Sequence, residues 1–82
     1  MNFNLLVTFL DGTNREVSGI AADLVAFEAH FDLSVARLNH DMKITHLLWL
    51  AWHVLKRTGE SKHTFDKWVE SVEGVEASDP KA

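Results

Sequence analysis

The chain has 82 residues, a formal net charge of −4 and no cysteine. That length admits one domain. The absent cysteines exclude a disulfide staple and a thiolate metal site, and the negative balance disfavours duplex DNA and anionic membranes as partners.

A domain this small buries a modest share of its surface, so self-association or a partner is the remaining source of extra burial. A cysteine-free chain suits a reducing cytoplasm. No basic region precedes an apolar run at the N-terminus, so no signal peptide is expected. The strongly apolar stretch Leu47 to Trp52 is far too short to span a bilayer. The expectation is an intracellular soluble protein.

Residues 2–18 read as a β-hairpin. Phe3, Leu5, Val7 and Phe9 alternate on one face of a strand, and Asp11-Gly12 marks the turn. A two-residue loop would put Val17 on the face opposite the phenylalanines. A three-residue loop pairs Phe9 with Thr13 and Leu5 with Val17, and puts Gly12 where a left-handed residue is needed. The second register is preferred, because a one-residue slip flips every side chain.

Helix one is predicted over Ala21 to Phe31. Ile20, Leu24, Phe27 and Phe31 recur at helical spacing, and Asp23 in the first turn suits the helix dipole. Asp32 to Leu38 reads as a connector with a short turn capped by Ser34.

Helix two is predicted from Met42 to Thr58, with Asp41 as N-cap, Lys56 and Arg57 in the last turn and Gly59 as the stop. Ile44, Leu47, Leu48, Ala51, Val54 and Leu55 fill one broad arc, with His46, His53 and Arg57 opposite. Trp52, at the edge of the arc, is expected in the core. Trp49 lies beyond it, beside Lys56 and the histidines. Two readings stay open for Trp49: partial burial under the hairpin or tail, or an interface hot spot.

Helix three is predicted from its N-cap Thr64 to Glu73, before Gly74, with Phe65, Trp68, Val69 and Val72 facing inward. Residues 1–74 then form the domain, and 75–82 are expected to be a disordered acidic tail. From Glu60 onward six acids face three lysines, so the acidic bias sits at this end. The expected fold class is α+β, mostly helical: an N-terminal hairpin followed by three helices, with helix two central.

Chemistry is thinly represented. There is no cysteine nucleophile, no G-x-S-x-G elbow and no phosphate-binding glycine loop, so no enzyme and no cofactor are expected. His46 and His53 stand two helical turns apart, about 10 Å along the axis, whereas zinc ligands on one helix converge at i, i+3 or i+4. His40 and His63 fall in predicted loops. The expectation is a solvent-facing histidine stripe and no metal site. The candidate partner-binding or oligomer-interface residues are therefore Trp49, His46, His53 and Arg57 on helix two, with Glu70 and Glu73 at the acidic end.

Three stretches read together carry a resemblance: "DLVAFEAHF" (23–31), "HLLWLAWHVLKRTG" (46–59) and "TFDKWVESVEGVEASD" (64–79). Their order resembles the small tail assembly chaperones of long-tailed, siphovirus-type bacteriophages. The resemblance implies a non-enzymatic protein acting in the infected cell's cytoplasm and absent from the finished virion. It implies self-association and binding to the helical tape measure protein, so that tail tube subunits polymerise around it. It also implies a longer form, made by a −1 frameshift, that engages the tail tube protein; the codons of Asp79-Pro80-Lys81 are able to spell the required heptamer. No functional residue is carried over from the family. The alternative is a small acidic protein-binding module, a phage or bacterial inhibitor or adaptor with another partner.

Overall fold

The computed structural model describes residues 3–32 and 43–77. The elements run β1 (Phe3–Phe9), β2 (Asn14–Gly19), α1 (Ala21–Phe31), α2 (Ile44–Arg57), α3 (Phe65–Val69) and β3 (Val72–Ala77). The strands form one antiparallel sheet in the order β2-β1-β3, and the helices cover one of its faces.

The hairpin has the three-residue-loop register. Leu5 pairs with Val17 and Thr8 with Asn14. The Phe9 N–H donates to the Thr13 carbonyl at 2.8 Å, closing the loop. Gly12 sits at φ 92°, a left-handed position that side chains rarely adopt. Asp11 also secures the turn, accepting from the Thr13 N–H at 2.9 Å. Alternation then sends Leu5, Val7 and Val17 into the core. At the far end of the pair Phe3 lies over Gly19, and a Cβ there would collide with its ring.

Two helix ends behave as the sequence suggests. α1 has the expected bounds. α2 ends in a Schellman motif: Glu60 N–H donates to Leu55 C=O at 2.8 Å, Gly59 N–H to Lys56 C=O at 3.1 Å, and Gly59 takes φ 82°. The N-terminus of α2 differs. It begins at Ile44 after Lys43, and its first turn is capped from within by His46, whose Nδ1 accepts the Lys43 N–H at 3.3 Å. The expected cap Asp41, the start at Met42 and the Ser34 turn lie outside the described residues.

The expectation of a mostly helical fold with three helices after a hairpin is wrong at its C-terminal end. The described residues are about 46% helix and 29% strand, with a third strand where helix three was to continue. Thr64 does cap a helix, its Oγ1 accepting from Lys67 N–H at 3.3 Å, but that helix stops at Val69. Trp68, Val69 and Val72 fit a helical stripe, which hides the change. What decides it is the second edge of β1. Val7 is fully buried, and an unpaired backbone edge beside it would be costly. β3 fills that edge, pairing Val75 with Val7 and Gly74 with Thr8, with an irregularity between Thr8 and Phe9. Residues 75–77 therefore belong to the domain and are not tail. Residues 78–82 lie outside the described part, so the frameshift expectation has no structural counterpart.

β3 is thus integral to the domain. A chain truncated before Val72 is expected to lose its cooperative thermal transition, because β1 becomes an open edge over a buried core. A calorimetric or circular-dichroism melt of that truncation checks this; a native-like melt would make β3 dispensable.

Candidate interaction surfaces

α1 is inverted relative to an ordinary surface helix. Its carboxylate Asp23 is 0% exposed, while Ala21, Ala22, Val25 and Ala29 face solvent, Val25 at 64%. Leu24 and Phe27 hold it to the core.

Asp23 is buried because α2 surrounds it with donors. Arg57 binds it as a fork, Nε to Oδ1 and Nη2 to Oδ2, both at 3.0 Å. His53 Nδ1 lies 2.6 Å from Oδ1. An ionised carboxylate only accepts, so the network assigns the proton to Nδ1. The Ile20 N–H donates to Oδ2 at 2.9 Å, which caps α1. These four bonds occupy the carboxylate's four lone-pair directions. Burial alone would push the Asp23 carboxyl up; the bonds from Arg57, Ile20 and His53 and the Arg57 charge outweigh it and hold it below its ordinary range. The same pairing with Asp23 raises Arg57.

This clamp lays α1 along the side of α2 that was expected to face solvent, and it corrects the reading of two of the six candidate residues. Trp49 is 6% exposed and so is His46. The Trp49 indole lies nearly parallel to the rings of His30 (4.9 Å between centroids) and His53 (5.0 Å), and meets Phe31 edge-on at 5.7 Å. His46 meets Phe27 and Phe31 edge-on at 5.4 and 4.9 Å. Neither is a free hot spot, and the histidines are not a solvent-facing stripe: His46 caps α2 and His53 holds Asp23. Trp49, for which two readings were open, is in the core, and Trp52, expected there, is only partly buried against it. Trp52 is half-buried, packs on Phe65 at 5.8 Å and donates its indole N–H to the His63 carbonyl at 3.0 Å.

What reaches solvent here is a groove of about 360 Å³ lined by His30, Trp49, Trp52, His53, Lys56 and Arg57. The Lys56 ammonium rests 5.2 Å from the Trp52 ring centroid, a cation–π contact. The groove is cationic and aromatic on a chain of net negative charge. Glu70 and Glu73 are exposed and apart from it. Glu70 stands 3.8 Å from Lys67. Glu73 lines a hollow of about 320 Å³ on the other side of the sheet, with Leu6, Thr8, Gly74, Val75 and Glu76.

A larger hollow, about 580 Å³, lies between the sheet and the loop after α2, where Arg15 pairs with Glu60. Ser61 and His63 both line it. Ser61 Oγ is buried with no hydrogen-bond partner, so the two do not form a nucleophile–base pair. Among the described residues no group of three or more His, Cys, Asp or Glu is placed to hold a metal ion; His40 lies outside them. No described helix is long and apolar enough to cross a membrane.

Sequence reasoning missed Asp23 as the hub. The available signal was the His53/Arg57 spacing, i and i+4 on one helix face, with one acid in the first turn of the preceding helix. Comparisons with protein families, with curated proteins and with solved structures return no match to this chain.

The clamp predicts a signed pH response. Asp23 is lowered on folding, so its contribution to stability is fully present above the unfolded value, about pH 4, and is lost as pH falls through the lower folded value. Arg57→Ala leaves a buried carboxylate with fewer partners and should cost about 3 kcal/mol at neutral pH. The deficit should shrink on acidification, because protonating Asp23 removes the unpaired charge. Denaturant melts of both proteins between neutral and acid pH measure this, and a pH-independent deficit would refute it.

The tryptophans predict a second contrast. Trp49→Ala should destabilise the fold by about 3–5 kcal/mol, as for a fully buried aromatic. Trp52→Ala should cost less, about 1–3 kcal/mol, since its side chain is only partly buried, although one hydrogen bond is lost. The reverse order in chemical denaturation would contradict the packing described.

Proposed function

We propose that this chain is a non-enzymatic tail assembly chaperone of a long-tailed bacteriophage. It acts in the host cytoplasm, self-associates, binds the tape measure protein and leaves before the virion is complete. The order of residues 23–31, 46–59 and 64–79 supports the family reading. The observation that carries the binding role is the outer face of α1. Ala22, Val25 and Ala29 form a smooth apolar stripe with Ile20 at its N-terminal end, all exposed. Asp23 is turned inward and neutralised, and the acid left beside the stripe is the partly exposed Glu28.

Small side chains let a second helix approach closely, and a tape measure protein offers long amphipathic helices whose apolar stripes aggregate when bare. α1 is suited to cover such a stripe by helix-to-helix packing. The rival is an adaptor or inhibitor that presents the same face to a different protein.

Co-expression with tape measure fragments tests the assignment. A helical fragment should co-purify with the wild type. Val25→Glu should weaken capture by about 2 kcal/mol or more while leaving the melting temperature within a degree or two, because Val25 is exposed. Capture unaffected by Val25→Glu would move the binding face elsewhere. No capture of any fragment would favour the rival.

A further inference from the structure

At the hairpin end of the sheet, the helix-covered face carries Phe9 and Arg15, each two residues along its strand from core-facing Val7 or Val17. α2 stops at Arg57, so what meets this end is the loop 59–63 and the five-residue α3. The hollow of about 580 Å³ lies between them, and its walls are of two kinds. Leu55 and Trp68 are buried and Phe9 is half-buried, edge-on to Trp68 at 6.3 Å, so one wall is aromatic and aliphatic. The loop supplies a polar wall of Ser61, Lys62 and His63, with Arg15 from β2.

Two observations bear on what this hollow takes. The first is charge. Glu60 is fully engaged: its Oε1 pairs with Arg15 and its Oε2 accepts from the Thr58 hydroxyl at 3.1 Å. Arg15 is offset by the same pair. Lys62 is exposed and forms no ion pair among the described residues, so the lining has a cation in surplus. The second is Ser61. Its N–H donates to the Leu55 carbonyl at 3.1 Å, which fixes its backbone against the wall. Its Oγ, however, is buried and meets no partner among the described residues. A buried hydroxyl in that condition costs stability until a polar group meets it.

We propose that the hollow binds a small organic anion, a carboxylate on a planar apolar body. The body lies against Phe9, Leu55 and Trp68; ligand sites of this size combine apolar walls with a few placed polar groups. The carboxylate meets the Lys62 ammonium. The Ser61 hydroxyl, turned about its Cα–Cβ bond to another staggered position, donates to the same group. A surplus of one cation and one hydroxyl suits a monoanion, and Glu60, held by Arg15 and Thr58, does not oppose it. The site shares no residue with the α1 stripe, and the inference stands whether or not the phage assignment does.

Titration of the full chain with 2-naphthoate, followed through the Trp68 indole and Ser61 amide NMR signals, tests this. Saturable shifts centred on Trp68 and residues 59–63 are expected, with a Kd on the order of 1 mM or tighter. The uncharged 2-naphthylmethanol should bind about tenfold more weakly. Ser61→Ala should melt like the wild type or above it, because the lost hydroxyl leaves no partner behind, and should bind 2-naphthoate about tenfold more weakly. Lys62→Gln, at an exposed position, should keep the wild-type melt and weaken binding about threefold. Four results would overturn the proposal: no saturable shift at these residues, equal binding of the alcohol, a Ser61→Ala protein that binds like wild type, or one that melts well below it, since its hydroxyl would then already be satisfied.

Discussion

Burying one carboxylate organises this domain. Asp23 cannot sit at zero exposure as an ion unless every lone pair is met, and its four partners come from two places. One is the backbone at its own helix start. The other is the last turns of α2, through His53 and Arg57. The requirement fixes the lateral position of α1 and pins its first turn against the C-terminal half of α2. Trp49 and His46 on that side of α2 are then covered. Trp49 is enclosed by His30, Phe31 and His53 because the clamp brings α1 there, and His46 is turned to cap its own helix under Phe27 and Phe31.

The clamp also shapes the surface. Asp23 is turned off the outer face of α1, where Ile20, Ala22, Val25 and Ala29 are exposed and the partly exposed Glu28 lies beside Val25. The positive charge of Arg57 is largely spent on Asp23, which leaves Lys56 as the freer cation of the groove. A small chain thus separates an apolar helix face, a cationic aromatic groove and an acidic sheet face, each on its own side.

The sheet supplies the platform. β1 is its middle strand, and both edges of β1 must be paired for Val7 to be fully buried. β2 is supplied locally by a tight hairpin. β3 comes from the far end of the sequence and closes the domain by joining its two ends. Phe9, stacked edge-on against Trp68 at 6.3 Å, ties the helix before β3 to the strand that β3 will pair.

Local chemistry alone determined the hairpin register, the bounds of α1, the Gly59 stop of α2 and the Thr64 cap of α3. Each depends on neighbours a few residues away: Gly12 and Gly59 tolerate positive φ, and alternation or helical spacing picks one face. The end of α3, the strand β3 and the places of Trp49, Trp52 and Asp23 were decided by the tertiary structure. Val69 and Val72 fit a helix as well as a turn and strand, and only the open edge of β1 selects the strand. A helical wheel of α2 assumes a single packing partner, so it left Trp49 outside the core. The sheet takes one side of α2 and α1 takes another. That second contact rests on a pairing 30 and 34 residues apart in sequence, Asp23 with His53 and Arg57, which no local pattern encodes.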